Sequence, residues 1–336
     1  MEKPTKGKGQ TERAADLSAG YSMIEVKHLT KHYGTFCALD DVSFSVGKGE
    51  VVGLLGPNGA GKSTAMNILT GCLSATCGEV FVGGADMREE PLKAKRMLGY
   101  LPEQPPLYPD MTVGEYLRFV YELKGCDLPR DAHLAEICEL VRIGDVFCRL
   151  ISQLSKGYRQ RVGIAQALIG DPGLVILDEP TVGLDPKQII EVRALIRTLS
   201  RRHTVLLSTH ILAEVQAVCN RVLIINRGKL IADEQTDTLT RMIEDGICYR
   251  YGIVGPQKDV LPLLRRVPGV KEAAFTGEYD GEAGIFRLTF APGADCRKAV
   301  YYACAKAGFP ILSAVSGGGD LESVFIRLVD NSENRA

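Results

Sequence analysis

Gly56–Thr64 has the sequence Gly-Pro-Asn-Gly-Ala-Gly-Lys-Ser-Thr and lies between two patterned segments of a 336-residue chain. The apolar run Val51–Leu55 before it predicts a buried strand, and Ser63–Leu69 predicts the first turns of a helix. Glycines at this spacing let successive backbone N–H groups point at phosphate oxygens, and the helix N-terminus adds the positive end of its dipole. The structural alternative is an ordinary glycine-rich turn, but such a turn would need neither a buried strand before it nor a helix after it. The stretch therefore predicts a binding site for a nucleoside triphosphate.

Two side chains of this stretch have predicted chemical roles. Lys62 is long enough to reach the β- and γ-phosphates, which makes it a catalytic candidate as well as a binding residue. The hydroxyl of Ser63 is predicted to bind Mg²⁺. The predicted nucleotide-binding residues of the stretch are Gly56, Pro57, Asn58, Gly59, Ala60, Gly61, Lys62, Ser63 and Thr64.

Two carboxylates follow a second apolar strand. Leu174–Leu177 leads directly into Asp178 and Glu179. Ligands of open α/β sheets bind at the carboxyl ends of the strands, so both side chains are predicted to face the phosphates. Asp178 suits Mg²⁺ through a water molecule, and Glu179 is placed to take a proton from an attacking water. Buried strands sometimes end in Asp-Glu by chance, but the phosphate-binding stretch favours the functional interpretation.

A histidine and a second anion site complete the set of candidates. A lone histidine is usually structural, but His210 follows the strand pattern His203–Ser208 at the same sheet edge as Asp178, which favours contact with the γ-phosphate. Leu154–Gln160 (LSKGYRQ) opens a helix, where a Ser hydroxyl, glycine amides and a helix N-terminus form an anion site. A plain capped helix is the structural alternative. The residues predicted for this site are Ser155, Lys156, Gly157 and Gln160.

Composition limits the classes of function. The formal net charge is −1, with 40 basic and 41 acidic residues, so no overall field indicates nucleic acid as the main partner. No apolar run reaches the roughly 18 residues that span a bilayer. The ten cysteines are scattered without metal-ligand spacing, which is typical of reduced thiols. We therefore expect a soluble intracellular protein.

Three parts are predicted along the chain. Residues 1–22 are rich in Lys, Gly and Thr and are predicted to be a disordered arm. Residues 23–236 contain the motifs above, with a helical insert at about 103–170. Residues 237–336 follow a β-α-β-β-α-β pattern, which predicts a small ferredoxin-like α+β domain ending in an amphipathic helix at Leu321–Val329. For this last part, dimer support or regulation and a passive packing role both stay open.

Together these residues resemble the ATP-binding subunit of ABC transporters, over about Met23–Glu234. Leu154–Gln160 resembles the signature of that family and is the most specific element, because other P-loop ATPases lack it. The resemblance implies an α/β P-loop NTPase fold with an ABC-type helical subdomain, and it implies ATP and Mg²⁺ as ligands. It also implies that Tyr33 stacks on adenine, although Tyr33 taken alone is more typical of simple packing. Asp185 is implied in communication across a dimer.

The resemblance implies a site shared between two chains. In that family two subunits hold two ATP molecules head to tail, so Gly56–Thr64 of one chain would meet Ser155–Gly157 of another. A second copy or a paralogous ATPase subunit is therefore an expected partner. The family usually places Gln after the proline of the loop that links its subdomains. Here Glu103 follows that proline and Gln104 comes next, and either could reach Mg²⁺ or the attacking water.

The functional expectation is an ATPase subunit of a membrane exporter. The chain resembles exporters of the ABC-2 kind, whose membrane part is a separate permease, and this implies a peripheral location at the cytoplasmic face of the cell membrane. The permease is expected to bind around Glu103–Leu123. The alternative is a soluble ABC-type ATPase of translation or DNA repair. Translation factors carry two cassettes, and repair proteins insert zinc modules or long coiled coils between the positions of Lys62 and Ser155, where this chain has neither.

Overall fold

The computed structural model describes residues 22–236, 238, 248–291 and 294–317. The chain divides into two compact units with the boundary between Asp233 and Glu234. Almost all of the predicted N-terminal arm, and the helix predicted at Leu321–Val329, lie outside the described residues. Up to the boundary the elements are β1 Ser22–Tyr33, β2 Phe36–Gly47, β3 Val51–Leu55, α1 Lys62–Leu69, β4 Cys77–Val82, β5 Ala85–Asp86, α2 Pro91–Arg96, β6 Leu98–Leu101, α3 Val113–Leu123, α4 Arg130–Val141, α5 Lys156–Leu168, β7 Leu174–Asp178, α6 Pro186–Leu199, β8 Thr204–Thr209, α7 Leu212–Val218 and β9 Arg221–Asn226, with β10 Lys229–Gln235 running across it.

A six-stranded sheet positions the site. Its strand order is β10-β9-β3-β8-β7-β6, and β3 pairs in parallel with both β8 and β9. The residues of β3, β7 and β8 are all buried, as expected for strands covered on both faces. Because the register pairs Leu55 with Thr209 and Asp178 with Ser208, the three segments that follow these strands begin at the same edge of the sheet.

A second, antiparallel sheet has the order β2-β1-β4-β5. Its inner face carries Ile24, Leu39 and Val82, which share one hydrophobic core with Met66 of α1 and Leu206 of the parallel sheet. This shared core fixes α1 between the two sheets, since burial of apolar surface is the main favourable term in packing. The loop before α1 is thereby held in place.

The helical insert contains α3, α4 and α5. Helix α3 begins with a capping box in which Thr112 accepts from the backbone N–H of Glu115 and the Glu115 carboxylate accepts from Thr112. Helix α5 begins after Ser155, whose side chain accepts from the backbone N–H of Tyr158. The Leu154–Gln160 stretch therefore opens a helix, as the sequence predicts.

The second unit is a four-stranded antiparallel sheet with two helices. Its elements are β11 Cys248–Val254, α8 Gln257–Arg265, β12 Val270–Asp280, β13 Ala283–Phe290, α9 Arg297–Ala307 and β14 Ile311–Gly317, and the strand order is β12-β13-β11-β14. One core joins the sheet to both helices, with Phe286, Val260 and Val300 fully buried. This is the β-α-β-β-α-β sequence of elements of a split βαβ fold.

The described part of the chain has no helix that is both long and apolar enough to cross a bilayer. Over the same residues no group of three or more His, Cys, Asp or Glu side chains is arranged to hold a metal ion.

Candidate active site

Two glycines shape the loop between β3 and α1. Gly61 has φ 109°, and a Cβ at that position would lie 2.7 Å from the carbonyl oxygen of Ala38. A Cβ on Gly56 would lie 2.2 Å from the carbonyl oxygen of Ile225. Neither position tolerates a side chain without movement of the backbone, so the tight curl of the loop depends on glycine at both. A helix N-terminus that follows such a loop offers unpaired backbone N–H groups to an anion.

Lys62 and Glu179 meet beside this loop. The Lys62 ammonium donates to the carbonyl oxygens of Gly56 at 2.9 Å and Pro57 at 3.2 Å. It also lies 3.6 Å from the Glu179 carboxylate, and both side chains are almost fully buried. The sequence places these residues more than a hundred positions apart, and the sheet brings them into one ion pair.

His210 completes a chain of three charged or polar groups. Its Nδ1 lies 3.0 Å from Glu179 Oε2. An ionised carboxylate only accepts hydrogen bonds, so Nδ1 carries the proton in this contact and Nε2 is left for another partner. The three sequence-based catalytic candidates, Lys62, Glu179 and His210, therefore lie in one cluster.

The backbone at Glu179 is in the left-handed region, with φ 46°. A non-glycine residue there is strained by about 1–2 kcal/mol, and such strain concentrates at functional sites. The Glu179 N–H donates to the backbone oxygen of Ser208 at 3.2 Å and to its hydroxyl at 3.1 Å. These bonds hold the turn that aims the carboxylate at Lys62 and His210.

Asp178 is buried at the end of β7 and accepts a hydrogen bond from the Ser208 hydroxyl. Burial raises the pKa of this carboxyl, while the Ser208 hydrogen bond lowers it and the neighbouring Glu179 raises it. The sequence prediction missed Ser208, whose position at the end of the adjacent strand is the signal that pairs it with Asp178. The two predicted Mg²⁺ ligands, the buried Asp178 carboxylate and the Ser63 hydroxyl, are both oxygen donors, and such donors suit a hard cation.

A second buried carboxylate, also missed, connects the segments that carry Glu179 and His210. Glu214 on α7 accepts from the hydroxyls of Thr181 and Thr209, the latter at 2.7 Å. Thr181 lies two residues after Glu179, and Thr209 directly precedes His210. Glu214 is only 3% exposed, so its hydrogen bonds are protected from water and fix the separation of the two segments.

A cavity of about 410 Å³ lies over the loop. Tyr33 and Glu103 line it, as does Phe36, which pairs with Tyr33 across the β1–β2 turn and was not predicted as a site residue. Gln104 lines only a second cavity, which Glu103 also lines, so of these two linker-loop residues only Glu103 borders the cavity over the loop. The lining side chains of the first cavity are those of Tyr33, Phe36, Ala38, Asn58, Lys62, Ser63, Thr64, Glu103, Glu179, Val182 and His210, with Gly59 and Gly61.

The signature stretch lies apart from this cavity. Ser155 and Lys156 are exposed, and neither they nor Gly157 line it. Gln160 donates to the backbone oxygen of Pro180 at 2.9 Å, which anchors α5 to the segment after Glu179. Asp185 caps α6 by accepting from the Gln188 N–H at 2.9 Å. The second predicted anion site is therefore not part of the chain's own nucleotide cavity.

Comparisons with known proteins agree with this geometry. The family described as ABC transporter matches residues 39–182. The lantibiotic transport ATP-binding protein SrtF of Streptococcus pyogenes is 38% identical over 216 residues, which cover 64% of this chain and 92% of that protein. This chain belongs to the ABC transporter ATP-binding proteins.

Two further relatives of this ABC ATP-binding chain are named for transport. The probable multidrug ABC transporter ATP-binding protein YbhF of Escherichia coli is 38% identical over 224 residues, but these span only 38% of that protein. The bacitracin transport ATP-binding protein BcrA of Bacillus licheniformis is 35% identical, with 66% of this chain and 72% of that protein covered. The alternative of a translation or repair ATPase is not favoured.

Solved structures confirm the fold of about two thirds of the ABC ATP-binding chain. The ATP-binding subunit of an ABC transporter matches with a TM-score of 0.60 and 32% identity, covering 66% of this chain and 93% of that one. The dimeric post-hydrolysis state of the cassette MJ0796, bound to ADP and Pi, matches with a TM-score of 0.59 and 27% identity, covering 64% and 99%. The predicted P-loop NTPase fold is thus confirmed.

Proposed function

We propose that this chain binds Mg²⁺–ATP and hydrolyses it to drive export through a separate membrane permease. The observation that carries the proposal is the cluster of Lys62, Glu179 and His210 beside the phosphate loop. Its parts match the needs of phosphoryl transfer, in which catalysis consists mostly of positioning and charge stabilisation.

In the proposed reaction the oxygen of a water molecule forms a bond to the γ-phosphorus, the bond from that phosphorus to the β–γ bridging oxygen breaks, and ADP and inorganic phosphate leave. Glu179 takes the proton of the water, and His210 orients the carboxylate through its Nδ1–H. Lys62 stabilises the charge that spreads over the phosphoryl oxygens. Asp178 and Ser63 would hold Mg²⁺, which neutralises charge on the β- and γ-phosphates. Tyr33, which lines the same cavity, supplies a face for the adenine ring.

A second copy of the chain, or a paralogous subunit, is proposed to complete the site. Ser155 and Gly157 belong to the family signature but lie outside the chain's own cavity. A head-to-tail pairing of two copies would place them on the nucleotide of the partner, and the arrangement is isologous. The match to a cassette solved as a dimer with ADP and Pi supports this pairing.

The proposed permease surface lies on α3 and the segment before it. Tyr108 and Leu123 are 50% and 72% exposed, and Phe119 contacts Tyr108 edge-on with ring centroids 5.6 Å apart. Aromatic and aliphatic side chains exposed together are typical of an interaction site. Relatives named for multidrug, lantibiotic and bacitracin transport support export of a small molecule or peptide, with the chain bound at the cytoplasmic face of the membrane.

The test compares ATP turnover and partner capture in Glu179→Gln and in the control Glu272→Gln, which lies in the second unit. Glu179→Gln is expected to bind ATP, to lose turnover by at least about 100-fold, and to retain a polytopic membrane protein from native membranes. Normal turnover in Glu179→Gln contradicts the assignment of the base. Capture of ribosomes or DNA without any membrane protein contradicts export.

A further inference from the structure

The C-terminal end of the signature helix is bound by a lysine from another helix. The last four carbonyls of an α-helix have no partner within the helix. At the end of α5 the carbonyl oxygens of Gln166, Ala167 and the C-cap residue Ile169 accept from the ammonium of Lys124 at 2.9, 3.3 and 3.0 Å. Lys124 is the C-cap residue directly after α3, so one ammonium joins the ends of two helices.

Two further bonds hold the same end of α5. The N–H of Gly170, just after the helix, donates to Nε2 of His133 on α4 at 3.0 Å. The side chain of Gln166 donates to the backbone oxygen of Tyr100 on β6 at 2.6 Å. Of these three contacts, only the one from Lys124 brings a charge to the negative end of the helix dipole.

The charge of Lys124 sits in a partly buried environment. Burial lowers the pKa of this ammonium to about 8, so it is mostly protonated near neutral pH. Cys126 faces Lys124 from its own segment, and His133 faces it from α4. The charged side chains around His133 are those of Glu136, Asp171 and Arg202.

Helix α3 and helix α5 have separate proposed roles that Lys124 connects. The proposed permease surface includes Phe119 and Leu123 of α3, and Leu123 immediately precedes Lys124. Helix α5 has Ser155 at its other end, 13 helical residues away. An α-helix is a stiff rod of about 20 Å at this length, so a displacement at one end also moves the other.

We propose that Lys124 is a positioning residue that fixes α5 to α3 and thereby places Ser155 for the nucleotide of the partner subunit. The proposal rests on the proposed function, since Ser155 is taken to act on that nucleotide. Lys124 touches no part of the chain's own nucleotide cavity. Replacement of Lys124 is therefore expected to slow ATP turnover, which needs the signature residue Ser155, and to leave ATP binding by Gly56–Thr64 intact.

The experiment measures ATP affinity and turnover separately in Lys124→Met, Lys124→Arg and the control Lys95→Met. Lys95 is exposed and donates to a single carbonyl, that of Gly71, at 3.0 Å. Lys124→Met is expected to keep the dissociation constant for ATP within about twofold and to lower kcat about tenfold, since it removes a charge-assisted contact. Lys124→Arg keeps the positive charge and the hydrogen-bond donors, so its kcat is expected to be at least half of the wild-type kcat. Lys95→Met is expected to behave as wild type.

Amide hydrogen exchange over residues 162–170 gives a second readout that does not depend on turnover. It is expected to accelerate at least about tenfold in Lys124→Met, because three helix-end carbonyls lose their donor. Unchanged kcat or unchanged exchange in Lys124→Met overturns the proposal. So does a parallel loss of ATP affinity and turnover. A wild-type chain that fails to hydrolyse ATP overturns the proposed function instead, and the exchange data still decide whether Lys124 holds the end of α5.

Discussion

Replacing Ser208 with Ala removes one hydroxyl from the centre of the site. Ser208 is fully buried, and its hydroxyl donates to the Asp178 carboxylate. The N–H of Glu179 keeps the backbone oxygen of residue 208 as an acceptor at 3.2 Å, so the principal loss falls on Asp178. A hydrogen bond to a buried charged group contributes about 1.5–3 kcal/mol. We therefore expect Ser208→Ala to lower the free energy of unfolding of the first unit by about 2 kcal/mol.

Two assays check this value. Thermal unfolding should show the melting temperature of the first unit fall by about 4–8 °C, given about 2–4 °C per kcal/mol for a domain of 150–250 residues. The magnesium concentration for half-maximal ATP turnover should rise at least about tenfold if Asp178 is a metal ligand as proposed, because residues that orient a metal ligand typically contribute that much to affinity.

The matched control is Ser200→Ala at the end of α6. Its hydroxyl donates to the backbone oxygen of Arg197 at 2.8 Å, and no carboxylate among the described residues accepts a hydrogen bond from it. Such a change is expected to alter stability by no more than about 0.5 kcal/mol. If Ser208→Ala and Ser200→Ala have the same melting temperature and the same magnesium dependence, Ser208 does not hold Asp178 in place and the reasoning fails.

Four further predictions concern single residues whose contacts or burial the structure describes. Glu214→Ala leaves two buried threonine hydroxyls without their acceptor and is expected to lower stability by about 2–3 kcal/mol in urea unfolding. Gly61→Ala places a Cβ 2.7 Å from the Ala38 oxygen, so the ATP dissociation constant should rise at least tenfold by calorimetry. The pKa of Lys124 is about 8 in the folded chain against an ordinary value of 10.5, so between these pH values the unfolded state binds more protons than the folded state. The free energy of unfolding of the wild type is therefore expected to rise by about 1.5 kcal/mol relative to that of Lys124→Met between pH 8 and pH 9.5. Phe286 is fully buried, so Phe286→Ala is expected to lower the free energy of unfolding of the second unit by about 3–5 kcal/mol. The ATP dissociation constant of this variant is expected to stay within twofold of the wild-type value.

Most of the predictions that the structure supports were made from short-range sequence patterns. The phosphate loop between a strand and a helix, and the helix that opens at Leu154–Gln160, depend on neighbouring residues and could be predicted from their spacing alone. The edge shared by β3, β7 and β8 also followed from sequence, since carboxyl ends of parallel strands meet at one edge of a sheet. The placement of Glu179 beside His210 is a consequence of that rule.

The residues that the sequence did not reveal act across elements. Ser208 and Glu214 have no motif of their own, and each gains its role only when a strand or helix brings it beside a partner from elsewhere in the chain. Lys124 is a surface-type residue by sequence, yet its ammonium meets carbonyls more than forty positions away. Such long-range pairs depend on packing, which a single sequence does not encode by spacing. The side chains proposed to contact the phosphates could thus be predicted from sequence patterns, whereas the side chains that hold them in place could be identified only from the fold.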